Sequence, residues 1–236
     1  GYVNGLQAEI RMKASGPDIA AKADTANVAT VMPWLAAEGI TLLNSRALFD
    51  DEPGGFATRD TVGSLRVKGL QLDLPHQRIT TDSVLLADSY SGIRLAPSAD
   101  SATEATGADT SSAGYYIRGG WLEISQTRFR LDNTQEPPVR YAGAMDFNHL
   151  DADSISARLR DVIFNTDTLS GEVAHISLSE KSGFHLRELR ARVWYDPGRL
   201  ALDGLLLRTD RSRLGDTLEV TTRSWSTVSE HLNDLA

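Results

Sequence analysis

The chain has 236 residues, and 24 Lys and Arg stand against 32 Asp and Glu for a formal net charge of −8. That acidic excess argues against a nucleic-acid partner, which needs clustered Lys and Arg. The lack of Cys excludes disulfides, thiolate metal centres and cysteine nucleophiles. A content of 41% hydrophobic and 24% charged residues excludes a wholly disordered or collagen-like chain, and no apolar run approaches the roughly 18 residues of a membrane span.

In chain order, residues 5–14, 18–28 and 40–49 read as strands. Between the last two, residues 29–38 read as a short helix, with Thr30 as N-cap, Pro33 in the first turn and Gly39 at the C-terminal stop. Leu65-x-Val67-x-x-Leu70-x-Leu72-x-Leu74 then opens a recurring pattern, a period-2 alternation broken once by an extra residue. Residues 76–95 continue the sheet. Residues 97–114, rich in Ser, Ala, Thr, Asp and Gly with no large apolar side chain, read as a flexible low-complexity loop. Residues 115–131 form a strand beginning near Trp121, with 139–148 expected as its partner.

The pattern returns as Ile155-x-Ala157-x-Leu159-x-x-Val162-x-Phe164, then Leu169-x-Gly171-x-Val173-x-x-Ile176-x-Leu178. Phe184-x-Leu186-x-x-Leu189-x-Ala191-x-Val193-x-Tyr195 and Leu200-x-Leu202-x-x-Leu205-x-Leu207 complete it. A one-residue slip would turn half of each strand to the opposite face. A β-bulge absorbs the extra residue and keeps both halves facing one way, adding a bend. Bulges are therefore expected at Lys68-Gly69, Arg160-Asp161, Ala174-His175, Arg187-Glu188 and Asp203-Gly204. Asn165-Thr166-Asp167, Glu180-Lys181-Ser182-Gly183 and Asp196-Pro197-Gly198 supply turns between the runs. The tail 224–235 spaces Trp225, Val228, Leu232 and Leu235 as a helix does. The fold class is thus mainly β. Two architectures fit: a β-sandwich with its apolar faces packed together, or one long antiparallel curved sheet forming an elongated, partly open apolar groove.

No motif for catalysis stands out. His76, His149, His175, His185 and His231 show no metal-ligand spacing, although His175 and His185 fall on adjacent expected strands. The recurring Asp-Thr or Asp-Ser at 60, 82, 153, 167 and 216 reads as turn chemistry, because the glycine-rich repeats of calcium solenoids are missing. Trp194 is out of phase with Val193 and Tyr195, so it should point away from the apolar face. No catalytic, cofactor-binding or metal-ligating residue is assigned, and the reading is a non-enzyme.

From Gly120 onward the chain resembles the AsmA-like/TamB family of bacterial envelope proteins. The resemblance rests on Trp121-Leu122-Glu123-Ile124, Phe147-Asn148-His149-Leu150, Asp167-Thr168-Leu169-Ser170-Gly171, Leu178 to Phe184, Leu186 to Val193, Leu205 to Thr209 and Ser212. The strand–helix–strand reading of 18–49 is similar to the membrane-proximal start of such proteins. The resemblance implies one elongated β-groove segment over 1–236, the β-taco of a longer periplasmic chain. That chain would be held at the inner membrane by an anchor outside this sequence.

It further implies phospholipid acyl chains as the cargo, moved towards the outer membrane, with an outer-membrane assembly partner and no nucleic acid. The expected groove lining is Leu65, Val67, Leu70, Leu72, Leu74, Ile124, Phe129, Leu131, Ile155, Leu159, Val162, Phe164, Val173, Ile176, Leu178, Phe184, Leu186, Leu189, Val193, Leu200, Leu202, Leu205 and Leu207. The competing expectation is a secreted structural or adhesive β-repeat protein with a fully packed interior.

Overall fold

The computed structural model describes residues 2–12, 34–97, 114–139 and 145–222. Within them lie twelve strands: β1 (Tyr2–Asn4), β2 (Gln7–Met12), β3 (Trp34–Asp51), β4 (Phe56–Asp73), β5 (Arg78–Ala87), β6 (Tyr90–Leu95), β7 (Tyr116–Asn133), β8 (Asp151–Asn165), β9 (Thr168–Glu180), β10 (His185–Asp196), β11 (Arg199–Thr209) and β12 (Arg213–Thr221). All belong to one sheet, ordered β1-β3-β4-β5-β7-β8-β9-β10-β11-β12. β2 continues the line of β1 along β3, and β6 continues that of β5 between β4 and β7.

The chain is mainly β, as its alternation requires, but the sheet is mixed rather than antiparallel throughout. β1 and β2 run parallel to β3, and β5 and β6 run parallel to β7. Parallel neighbours need a long return connection, and the low-complexity stretch between β6 and β7 fills that topological role. From β7 onward every consecutive pairing is antiparallel, and from β8 onward the strands are joined by short turns. In the turn after β10, Asp196 Oδ1 accepts the Gly198 N–H at 2.9 Å.

Two expected elements are corrected. Residues 34–38, assigned to a helix, are the start of β3, where Leu35 and Ala37 pair with Leu72 and Leu70; ladder pairing overrides the helix preference of Ala36-Ala37. The partner of β7 is β8 rather than 139–148. The described residues of that segment, 139 and 145–148, are turn and coil; they and the next two residues dock on the end of β7 through Asn133 N–H to Asn148 O at 2.8 Å and Leu131 N–H to Leu150 O at 2.9 Å. The expected strand at 18–28, the first residues of the expected helix and the helix at 224–235 lie outside the described residues, as does most of the 97–114 loop.

The five expected slips are all present. Register shifts or left-handed residues fall at Gly69 (φ +63°), Asp161 (φ +48°) and Gly204 (φ +60°). Others fall at Ala174, which is skipped between Val173 and His175 against β8, and at Arg187, skipped between Leu186 and Glu188 against β11. Because β9 alternates regularly from Glu172 to Ser170 while β8 spends three steps from Arg160 to Ile163, Leu159 and Val162 share a face.

A second line of kinks crosses β3, β5/β6 and β7 at Asn44, Asp88 and Gln126, all with φ between +47° and +51°. Each is followed by a buried hydroxyl residue, Ser45, Ser89 or Thr127. Those hydroxyls donate to the carbonyls of Leu43, Ala87 and Ser125 at 2.8, 2.8 and 3.2 Å. The side chain satisfies a backbone acceptor at the kink.

No second layer covers the sheet among the described residues. No two described strands that are not sheet neighbours come within 8 Å at their Cα atoms. Among the described residues the buried apolar side chains are four alanines (Ala152, Ala157, Ala191, Ala201) and Leu205, and no large side chain is fully sealed. The other large apolar side chains described are half-buried or exposed.

Candidate functional site

Residues facing each other across a ladder project to the same side of the sheet, so the registers can be followed from strand to strand. Val3, Leu42, Leu65, Leu86, Ile124, Ala157, Ile176, Leu189, Leu207 and Leu214 form one unbroken row, a residue from every strand position. Nine steps of about 4.8 Å make this row roughly 43 Å long. A second row runs Ile40, Val67, Val84, Leu122, Leu159, Val173, Ala191. Near one end of the strands a third runs Leu35, Leu72, Ile79, Ile117, Phe164, Leu169, Tyr195, Leu200, Val220. No polar residue interrupts any of them.

Most of the expected lining falls on these rows or beside them. Leu70 pairs with Ala37, Val162 with Gly119, and Val193 and Leu202 with each other and Leu218. Towards the other end of the strands, Phe129 meets Ala152, Ile155 meets Thr127, Leu131 meets Ile93, and Leu178 meets Leu186. Leu205 is buried opposite Asp216. Leu74 and Phe184 lie just past the strand ends, where Leu74 O accepts Gln77 N–H and Phe184 O accepts Glu180 N–H. Their sequence phase matched the strands, but the turn residues beside them end the ladders.

Missed were Leu42, Leu86, Leu122 and the apolar residues of β12. Leu214, Leu218 and Val220 carry a readable even-numbered alternation there, though Gly215 and Asp216 obscure it. The row near the strand ends is open to solvent, with Leu35 at 46%, Ile117 at 39%, and Phe164 and Leu169 at 38% exposure. Apolar surface of that extent, left uncovered, marks a binding surface more often than a tolerated defect.

The opposite face is polar. Lys68, Ser83, Trp121, Arg160, Glu172, Arg192 and Asp203 form a row there. Arg160 lies over the Trp121 ring at 5.1 Å and 3.8 Å from Glu172. Trp194 pairs with Ala201 on this face and is 47% exposed, pointing away from the apolar rows as its phase predicted.

The titratable groups act on the fold. Side-chain hydrogen bonds from Arg128 at 2.9 and 2.8 Å hold the Asp151 carboxyl below its ordinary range. For Glu180, burial pushes the carboxyl up, but hydrogen bonds from Ser182 and from the Asp151 N–H outweigh it and the net shift is down. The backbone N–H of Val139 leads the lowering of Asp146, which also holds His149 at 3.0 Å. His175 and His185 do not pair; His175 bonds Ser177 of its own strand at 3.1 Å, and His185 bonds Ser179 across the ladder on β9 at 3.0 Å. Among the described residues no cluster of three His, Asp or Glu could hold a metal ion. No family model, curated protein or solved structure matches the chain.

Proposed function

We propose that this chain is a non-catalytic lipid-conduit segment whose apolar face shields phospholipid acyl chains from water. The observation that carries this reading is the unbroken apolar row of ten strand positions on a sheet that has no covering layer among the described residues. Each methylene moved from water into such a surface gains about 0.8 kcal/mol, so a chain of about 16 carbons gains on the order of 10 kcal/mol. Rows built from interchangeable Leu, Val and Ile offer similar contacts at every step along the sheet. A chain bound there has no reason to stop at one strand. The two lines of kinks bend the strands, which favours a trough over a flat surface.

The resemblance to the AsmA-like/TamB family supplies the setting of the proposal. That setting is the periplasm, an inner-membrane tether, and transfer of phospholipid during outer-membrane biogenesis. The competing reading, a packed adhesive β-repeat, requires large side chains sealed in a core. The half-exposed rows favour the conduit.

Extraction of the purified protein followed by lipid mass spectrometry tests the proposal. Phospholipid should co-purify with the wild type, and Leu189→Asp, a charge placed in the long row between Ile176 and Leu207, should lose it while keeping its strand signal in circular dichroism. A folded wild type that recovers no lipid and takes none up from vesicles sinks the proposal.

A further inference from the structure

We infer that the polar face of β4, β6 and β7 carries a binding notch for a tetrahedral oxyanion of the phosphate type. The register sets Arg59, Gly92 and Arg130 side by side on three adjacent strands. Arg94 follows two residues along β6, on the same face as Gly92. The outer two Cα atoms are two strand spacings apart, about 10 Å, a gap that long guanidinium side chains close from both sides. Gly92 places no side chain in that gap. Gly92, with the Tyr90 ring laid over it, lines a cavity of about 390 Å³ together with all three arginines. A Cβ at Gly92 would collide with the Tyr90 hydroxyl, so that phenol forms part of the floor and adds a neutral donor.

Some arginines of this face are ion-paired and others, such as Arg66, Arg158 and Arg192, are not paired with a described residue; the notch is set apart by gathering two unpaired arginines and a loosely held third around one cavity. Arg160 faces Glu172, Arg190 and Arg208 share Glu188, and Arg199 meets Glu219. The guanidiniums of Arg59 and Arg94 line the cavity and make no ion pair or hydrogen bond with a described residue. Arg130 reaches Asp132 only at 3.7 Å, and that carboxylate also lies 3.7 Å from His149. Asp50 is the second acid on the lining. Three guanidiniums against two carboxylates leave local positive charge on a chain whose net charge is −8. Planar guanidinium forks match phosphate oxygens two at a time. The notch lies on the face opposite the apolar rows and stands or falls apart from the acyl-chain proposal.

Free phosphate and a phospholipid headgroup both present this chemistry, and two arms of one experiment separate them. In the first, the full chain is titrated with inorganic phosphate at constant ionic strength while the arginine Nε–H resonances are followed by NMR. Saturable shifts should centre on Arg59, Arg94 and Arg130. The Arg59→Gln/Arg94→Gln double variant should bind roughly tenfold or more weakly, with Arg94→Lys falling between.

In the second arm, flotation compares phosphatidylglycerol-containing vesicles with pure phosphatidylcholine. Recruitment by the anionic vesicles that the double variant loses identifies a headgroup; phosphate shifts without recruitment identify a free anion. Shifts spread over all outer-face arginines, or equal affinity in the folded double variant, overturn the inference. Lipid co-purified on the apolar face should be the same in both proteins, which keeps this test distinct from that of the conduit.

Discussion

The part of the sheet from β1 to β7 and the part from β8 to β12 bend by different means. In the first, β3 and β4 keep one constant register past the kinks at Asn44 and Gly69, so neighbouring strands turn in concert. In the second, one strand slips against a regular neighbour, at Asp161, Ala174, Arg187 and Gly204 in turn. The concerted kinks are crowded. A Cβ on Gly63 would strike the Asp88 carbonyl, and one on Gly69 the Asp82 carboxylate, whereas around Gly204 nothing lies within 4 Å. A kink shared by several strands has to be packed and hydrogen-bonded by all of them; a bulge confined to one strand leaves its neighbour undisturbed.

The largest test of that contrast is a pair of glycine substitutions read by urea unfolding. Gly63→Ala should cost about 3 kcal/mol because the obstruction is backbone and cannot rotate away. Gly204→Ala should cost only the left-handed backbone penalty, about 1–2 kcal/mol. Equal losses would erase the distinction between crowded and open kinks.

Next in size is Thr127→Val, which keeps the shape of the side chain but removes the hydroxyl held at the Ser125 carbonyl. A loss of about 1 kcal/mol is expected on thermal melting, and Thr127→Ser should restore most of it. Failure of Ser to rescue would assign the buried methyl, not the hydroxyl bond, as the support of the kink.

Acidification probes where the two parts join, because Asp151 at the start of β8 is gripped by Arg128 of β7. Its folded carboxyl titrates below the ordinary value of 3.8. Its contribution is therefore complete above that value and disappears as pH falls through the lower folded one. Glu180 behaves likewise below 4.5. Urea midpoints at pH 7, 4 and 3 should fall for the wild type and fall less steeply for Asp151→Asn, which starts lower. Parallel profiles would show that this pair does not couple to folding.

The smallest effect is expected for Glu172→Gln, since Arg160 and Glu172 are about half exposed. A change within about 0.5 kcal/mol is expected, measured in the same urea assay. A larger loss would mean that the charged row outside helps hold the apolar rows inside.

These differences also explain what could be read in advance. The β8–β11 meander was legible because each strand carries its own slip, visible as x-x within a period-2 run, and short turns force consecutive strands together. The parallel pairings were not, since β5 beside β7 depends on a return connection whose composition says nothing about where it lands. The start of β3 misled because Trp34 to Ala37 suits a helix locally and only Leu70 and Leu72, more than thirty residues away, recruit it to the ladder. The apolar rows were legible wherever alternation ran for several residues, as from Leu65 to Leu72. They were lost at β12, where Gly215 and Asp216 dilute the signal.

The ladder order has a mechanical consequence. From β7 to β12 the strands follow one another across the sheet in chain order, and each touches only its neighbours. Tension applied between β7 and β12 would load the interstrand hydrogen bonds a few at a time, as in a zipper, instead of all together in shear. Coupling restricted to neighbours makes the fold quasi-one-dimensional. Such a ribbon peels strand by strand from an edge under a low, nearly constant force, and the strands further in keep their pairing while it does so.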